Sequence, residues 1–232
     1  MASLVQTINP NTSTGTITAT PAQTLQGSLL LVFIGTSALT DTVSTVTDNG
    51  NNTYTKAYGV ASGSGGDTEC WYSINSNPTT SVVVTFSAAV TTKSVFFREY
   101  SGMSKSTTCF DRNVSTSGSG TSVSTGASST TQDATEIIVC SCSCLGTNPT
   151  LSAGSGYGNY TSQALLAGLS LHAIEDKTVS TIGTQTGTMT AGGTLPVWDV
   201  GLATFIISPG RGILFNGYVT VGGGQSRNDI AS

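Results

Sequence analysis

The sequence predicts an all-β fold, an antiparallel β-sandwich of jelly-roll or immunoglobulin-like type with terminal arms, and three observations carry that prediction. Apolar residues recur with period two almost everywhere, and helix-period patterns of any length are absent. The runs are short, rich in β-branched and aromatic residues, and punctuated by Gly, Asn, Ser and Pro. Nearly a third of the 232 residues are Ser or Thr and 28 are Gly, whereas only 9% are charged. With 37% hydrophobic residues in regular runs, the chain folds instead of remaining disordered. At 23.5 kDa it is long enough for one large β domain whose burial needs no staples.

Taken in order, residues 1–26 read as an N-terminal arm or first edge strand, residues 27–208 as the sandwich, and residues 209–232 as a C-terminal arm. Residues 28–36 (SLLLVFIGT) are apolar on both faces, which suits a central strand covered on both sides. Residues 43–47 and 53–58 flank Asp48-Asn49-Gly50-Asn51-Asn52, and Asn-Gly between two β runs predicts a hairpin. Residues 68–74 (TECWYSI) stop at Asn75-Ser76-Asn77-Pro78, and Val82, Val84 and Phe86 then alternate with Val83, Thr85 and Ser87. Residues 94–100 (SVFFREY) close on Ser101-Gly102.

The Ser/Thr/Gly tract 115–131 is too polar to pack and reads as a long loop with one weak outer strand over 121–125. In 136–145 (EIIVCSCSCL), Ile138, Cys140, Cys142 and Cys144 share one face and Ser141 and Ser143 the other. Residues 165–175 read as one strand with Leu169, Leu171 and Ala173 against Ser170 and His172. Residues 197–208 put Trp198, Val200, Leu202 and Ile206 on one face, and Pro209-Gly210 ends the last core strand. A further β-like run, residues 212–221 (GILFNGYVTV), either closes its own sheet or adds to a neighbouring subunit's edge. Its Ile213, Leu214, Phe215, Tyr218, Val219 and Val221 are the candidate interaction residues.

Composition excludes several classes of function. A net charge of −4, with eight Lys and Arg scattered singly, leaves no basic stripe for nucleic acid. The longest apolar run, residues 29–34, is far too short to cross a membrane as a helix, and residues 1–10 carry no secretory-signal pattern. Five cysteines do not make an even disulfide framework, so the thiols are read as reduced, as in a cytoplasm.

No catalytic set, cofactor site or metal site emerges. Residues 48–52 supply oxygen ligands but lack the spacing and distal glutamate of a calcium loop, so they read as an Asx-bonded turn. Cys140, Cys142 and Cys144 stand roughly 7 Å apart in succession on a strand, and small apolar core residues are the better reading than a zinc site. His172 has Glu175 and Asp176 nearby but no Gly-x-Ser-x-Gly elbow, and is read as a surface or interface histidine. Glu99, inside an apolar strand, is expected to be tied to backbone amides or hydroxyls of the next strand. Of the aromatics, Tyr157 and Tyr160 form the one exposed pair expected to be able to stack on a sugar. Gly63-Ser64-Gly65-Gly66 reads as a hairpin loop, with no helix following to make a phosphate cradle.

The succession Asp48-Asn49-Gly50-Asn51-Asn52-Thr53-Tyr54-Thr55, Glu69-Cys70-Trp71-Tyr72, residues 82–87 and Glu99-Tyr100-Ser101-Gly102 resembles a β-sandwich domain of tailed-phage virion proteins. That family includes capsid cement (decoration) and tail-associated proteins, with relatives in bacterial surface proteins. The resemblance spans residues 27–208 and brings no catalytic residues. It implies a non-enzymatic capsid decoration protein that binds the major capsid protein and itself, as a dimer or trimer. The place implied is the outer capsid surface of a virion, after synthesis in the host cytoplasm. The alternative is a carbohydrate-binding module of a phage tail fibre or bacterial surface adhesin.

Overall fold

Every residue of the LLLVFIGT run is buried in the computed structural model, which describes residues 1–10, 16–37, 43–62, 67–87 and 92–208. The strands are β1 (Ser3–Ile8), β2 (Ile17–Ala19), β3 (Leu29–Thr36), β4 (Val43–Asp48), β5 (Thr55–Ala61), β6 (Asp67–Ser73) and β7 (Val82–Phe86). They continue with β8 (Lys93–Ser101), β9 (Phe110–Ala127), β10 (Glu136–Leu145), β11 (Leu151–Ala153), β12 (Gly158–Leu166), β13 (Ser170–Val179) and β14 (Thr186–Ile206). A 3-10 turn, Thr107–Cys109, precedes β9. Among the described residues all strand pairs are antiparallel, and the fold is an all-β sandwich.

The sandwich has three layers, one more than the two-sheet topologies expected. A middle sheet runs β1-β8-β3-β6-β5, a small sheet β2-β7-β4, and a large sheet β11-β14-β10-β13-β12 with β9 on β14. β3 explains the stacking. Leu30, Val32 and Ile34 pack with Ile17, Val82, Val84 and Phe86 of the small sheet, while Leu29, Leu31 and Phe33 pack with Ile137, Val139 and Phe205 of the large one. Period two sends alternate residues to opposite faces, so an unbroken apolar run belongs between two layers. A third cluster lies on the outer face of the large sheet. There β14, 21 residues long, shifts register between Thr190 and Trp198. Its Met189, Ala191 and Leu195, with Val123 of β9, cover Cys140, Cys142 and Cys144.

Three sequence expectations are corrected. The 48–52 segment is not a hairpin turn, because β4 pairs with β7 and β5 with β6. It is a crossing from the small sheet to the middle one, held by Asp48 Oδ1, which accepts from the Gly50 and Asn52 amides at 3.0 Å each. The positive φ falls on Asn51 (55°). The 115–131 tract is not a long loop, since residues 110–127 form an 18-residue strand paired along β14. Backbone hydrogen bonds need no apolar side chain, and this strand lies at the margin of its sheet with mostly part-exposed residues. Gly118 is required there, because a Cβ would stand 2.3 Å from the Trp198 ring. Residues 165–175 are two strands, not one: β12 and β13 join through a turn with Gly168 at φ 75°.

Candidate functional site

Charged side chains inside the apolar runs are tied to other elements. Glu99, on the small-sheet face of β8, accepts from the Leu25 amide (2.7 Å), the Ser28 hydroxyl (2.8 Å) and Gln6 Nε2 (2.6 Å). Its neighbour Arg98 faces the large sheet. There Arg98 Nη1 and the Tyr100 hydroxyl both donate to Asp176 Oδ2, at 2.8 and 2.6 Å, and Asn159 Nδ2 donates to Oδ1 at 2.9 Å. Arg98 also reaches the Asn159 carbonyl. One charge on each face of a doubly covered strand is a signal of such a network. The sequence reading used it for Glu99 and missed it for Arg98, Tyr100 and Asp176.

His172 is fully buried, not on the surface. Strand register places Gln163, His172, Ser143 and Asp199 side by side across β12, β13, β10 and β14, all facing the middle sheet. Ser94 donates to Gln163 Oε1 at 3.1 Å, so the 3.2 Å contact between His172 Nδ1 and Ser94 Oγ has the imidazole as donor. Burial holds the imidazole neutral, its pKa lowered to about 3. Gly35 makes room for it, since a Cβ there would stand 2.5 Å from His172 Cγ. A serine, a histidine and an aspartate thus meet, but with Ser143 between His172 and Asp199. The carboxyl does not orient the imidazole, and Ser143, His172 and Asp199 are all buried.

The remaining candidates also serve structure. Asp48 Oδ2 accepts from Asn52 Nδ2 (2.7 Å) and the Tyr54 hydroxyl (3.0 Å), so both its oxygens are engaged. All five cysteines are free and buried, and burial pushes the Cys109 and Cys144 thiols up to about 12. Among the described residues no group of three or more His, Cys, Asp or Glu is arranged to hold a metal ion. Tyr157 and Tyr160 are not an exposed pair. Their rings pack on the outer cluster, and their hydroxyls donate to the Thr186 and Leu151 carbonyls at 2.8 and 2.7 Å. Asp111 and Glu136 form a buried acid pair at the foot of β9 and β10. Burial pushes Glu136 up to about 7, whereas bonds from Gln132 and Glu136 outweigh burial and hold Asp111 below its usual range.

What the body offers a partner lies on its surface. Leu145, Leu166, Leu169 and Pro196 line a cleft of ≈ 580 Å³, rimmed by Ser37, Thr147, Ser170 and Thr194, and none of the described residues that line it is charged. Leu166 and Leu169 are 43% and 54% exposed and flank the Gly168 turn. Such a site suits uncharged, partly apolar groups. Sequence reasoning missed it because its residues come from four separate stretches of the chain: Ser37, 145–147, 166–170 and 194–196 within β14. The candidate interaction residues Ile213, Leu214, Phe215, Tyr218, Val219 and Val221 lie outside the described residues. No family model, no curated protein and no solved structure matches this chain.

Proposed function

We propose that this chain is a non-enzymatic virion structural protein, a capsid cement (decoration) protein that binds the major capsid protein and copies of itself on the outer surface of the shell. The observation that carries the reading is the uncharged leucine cleft on a body whose buried ionisable groups are tied to its own strands. A contact made of apolar area and hydroxyls is not screened, so attachment persists at high salt. Many weak, identical contacts on a lattice reinforce one another through effective concentration, and self-association is their natural form. The order of motifs shared with tailed-phage virion sandwiches supports the same reading. The carbohydrate-binding alternative rested on Tyr157 and Tyr160, whose hydroxyls and rings are already engaged.

Co-sedimentation with empty tailed-phage capsid shells tests it. The protein is expected to pellet with shells at low and at high salt, and Leu166→Asp with Leu169→Asp to cut occupancy about tenfold, or 1.4 kcal/mol. A protein that stays in the supernatant, or leaves the shell when salt is raised, overturns the reading.

A further inference from the structure

We infer that Ser143, His172 and Asp199 hold a buried water molecule between the middle and large sheets. It donates to His172 Nε2 and to Asp199 Oδ1 and accepts from the Ser143 hydroxyl. Ser143 lies opposite both of the others in register, His172 on β13 and Asp199 on β14. The three side chains are at most 1% exposed. Among the described residues Ser143 Oγ, His172 Nε2 and Asp199 Oδ1 meet no hydrogen-bond partner. Buried polar atoms are nearly always hydrogen-bonded, so three orphans at adjacent positions of one row point to a shared ligand.

The chemistry of the three atoms selects water. His172 donates through Nδ1 to Ser94, so its Nε2 carries a lone pair. Asp199 Oδ2 already accepts from the Ser62 hydroxyl at 3.1 Å, and an ionised Oδ1 is an acceptor as well. A ligand between them must therefore donate twice. The Ser143 hydroxyl, which can donate, completes about three bonds, the usual number for a buried water. Small residues surround the place. Neighbouring strands stand about 4.8 Å apart, so β13 and β14 are roughly 10 Å apart across β10, with the short side chain of Ser143 between. On the facing strand β3 is Gly35, where a Cβ would stand 2.6 Å from Ser143 Oγ and 2.5 Å from His172 Cγ. The water completes a chain of hydrogen bonds from Gln163 through Ser94, His172 and Asp199 to Ser62. That chain crosses between the two sheets and ties them in one register.

This inference does not rest on the capsid reading. Nuclear Overhauser contacts between water and side chains of the full, isotope-labelled protein test it, at a pH above the Asp199 pKa of about 6. A water cross-peak is expected at His172 Hδ2, the ring proton beside Nε2, and the ring-nitrogen spectrum is expected to place the proton on Nδ1. Ser143→Ala, which keeps the space, is expected to retain the cross-peak, and Ser143→Val, which fills it, to lose it. A missing cross-peak at Hδ2 in the unsubstituted protein overturns the inference, and so does a ring protonated at Nε2. Both readings decide the matter even where Ser143→Val does not fold. Loss of the cross-peak in Ser143→Ala overturns it too, since the hydroxyl would then have relayed the signal. So does a cross-peak that survives in folded Ser143→Val.

Discussion

The middle sheet packs on two neighbours, and its two interfaces are built differently. Toward the small sheet the cluster is apolar throughout, with Leu30, Val32, Ile34, Val95 and Phe97 against Ile17, Val43, Val82, Val84 and Phe86. Its carboxylates, Glu69 and Glu99, accept from the backbone amides of Val43, at the start of β4, and of Leu25. Toward the large sheet the apolar cluster is interrupted by the Arg98–Tyr100–Asp176 network and by the row containing His172. Tyr58 and Thr68 also reach across it to the Ser141 hydroxyl, at 2.7 and 3.0 Å. Apolar packing is non-directional and tolerates similar shapes, whereas a buried hydrogen bond requires one particular partner. The small sheet is held mainly by area, with the Val43–Glu69 bond at its margin. The large sheet is held by area and by an alignment that only one register satisfies.

Breaking the polar interface should cost most. Arg98→Ala leaves Asp176 buried without its cation, and a loss of about 3–5 kcal/mol is expected in urea unfolding. Arg98→Met with Asp176→Leu should recover most of that loss. A double variant as unstable as the single one would mean that Tyr100 and Asn159, not the ion pair, dominate the network. On the apolar side Leu30→Ala should cost about 2–5 kcal/mol and Leu30→Met less than about 1.5. Equal tolerance of a Met replacement at Arg98 would erase the contrast between the two interfaces. Gly35→Ala is expected to cost about 1–3 kcal/mol by overpacking, since its Cβ would meet His172 and Ser143.

The pH dependence sharpens the comparison further. Burial raises Asp67 to about 8, Glu136 and Glu175 to about 7, and Asp199 to about 6. Each folded carboxyl then holds a proton that the unfolded chain has lost above its ordinary pKa, so these four groups lose stability as pH rises from about 4.5 to about 8. His172 acts oppositely. Its unfolded form binds a proton below about 6.5 and its folded form only near 3, so its contribution is lost as pH falls through that window. With four groups against one, Tm is expected to rise by a few degrees between pH 8 and pH 5, then fall in stronger acid. A Tm that is flat or lower at pH 5 would mean that water reaches these carboxyls. His172→Asn should shift the acid limb to lower pH.

Much of the fold was legible because it depends on local periodicity. The apolar run of β3 predicted a strand covered on both sides, and the alternation in β10 placed its cysteines and serines on opposite faces, as found. Glu99 was legible as a tied carboxylate because an ionised group in such a run needs donors. β9 was not legible, since its stability comes from backbone pairing with β14, which its polar sequence does not record. His172 was misplaced because strand parity gives a face but not what covers that face.

By itself, then, the sequence determined the class of element and the two faces of each strand, because both follow from neighbours one and two residues away. The tertiary structure decided the third layer and the crossing at Asp48 in place of a hairpin. It also decided the meeting of Gln163, His172, Ser143 and Asp199, and the leucine cleft. Each of these joins residues tens of positions apart. Such contacts are selected by which packing satisfies every buried polar group at once, a condition no local pattern expresses.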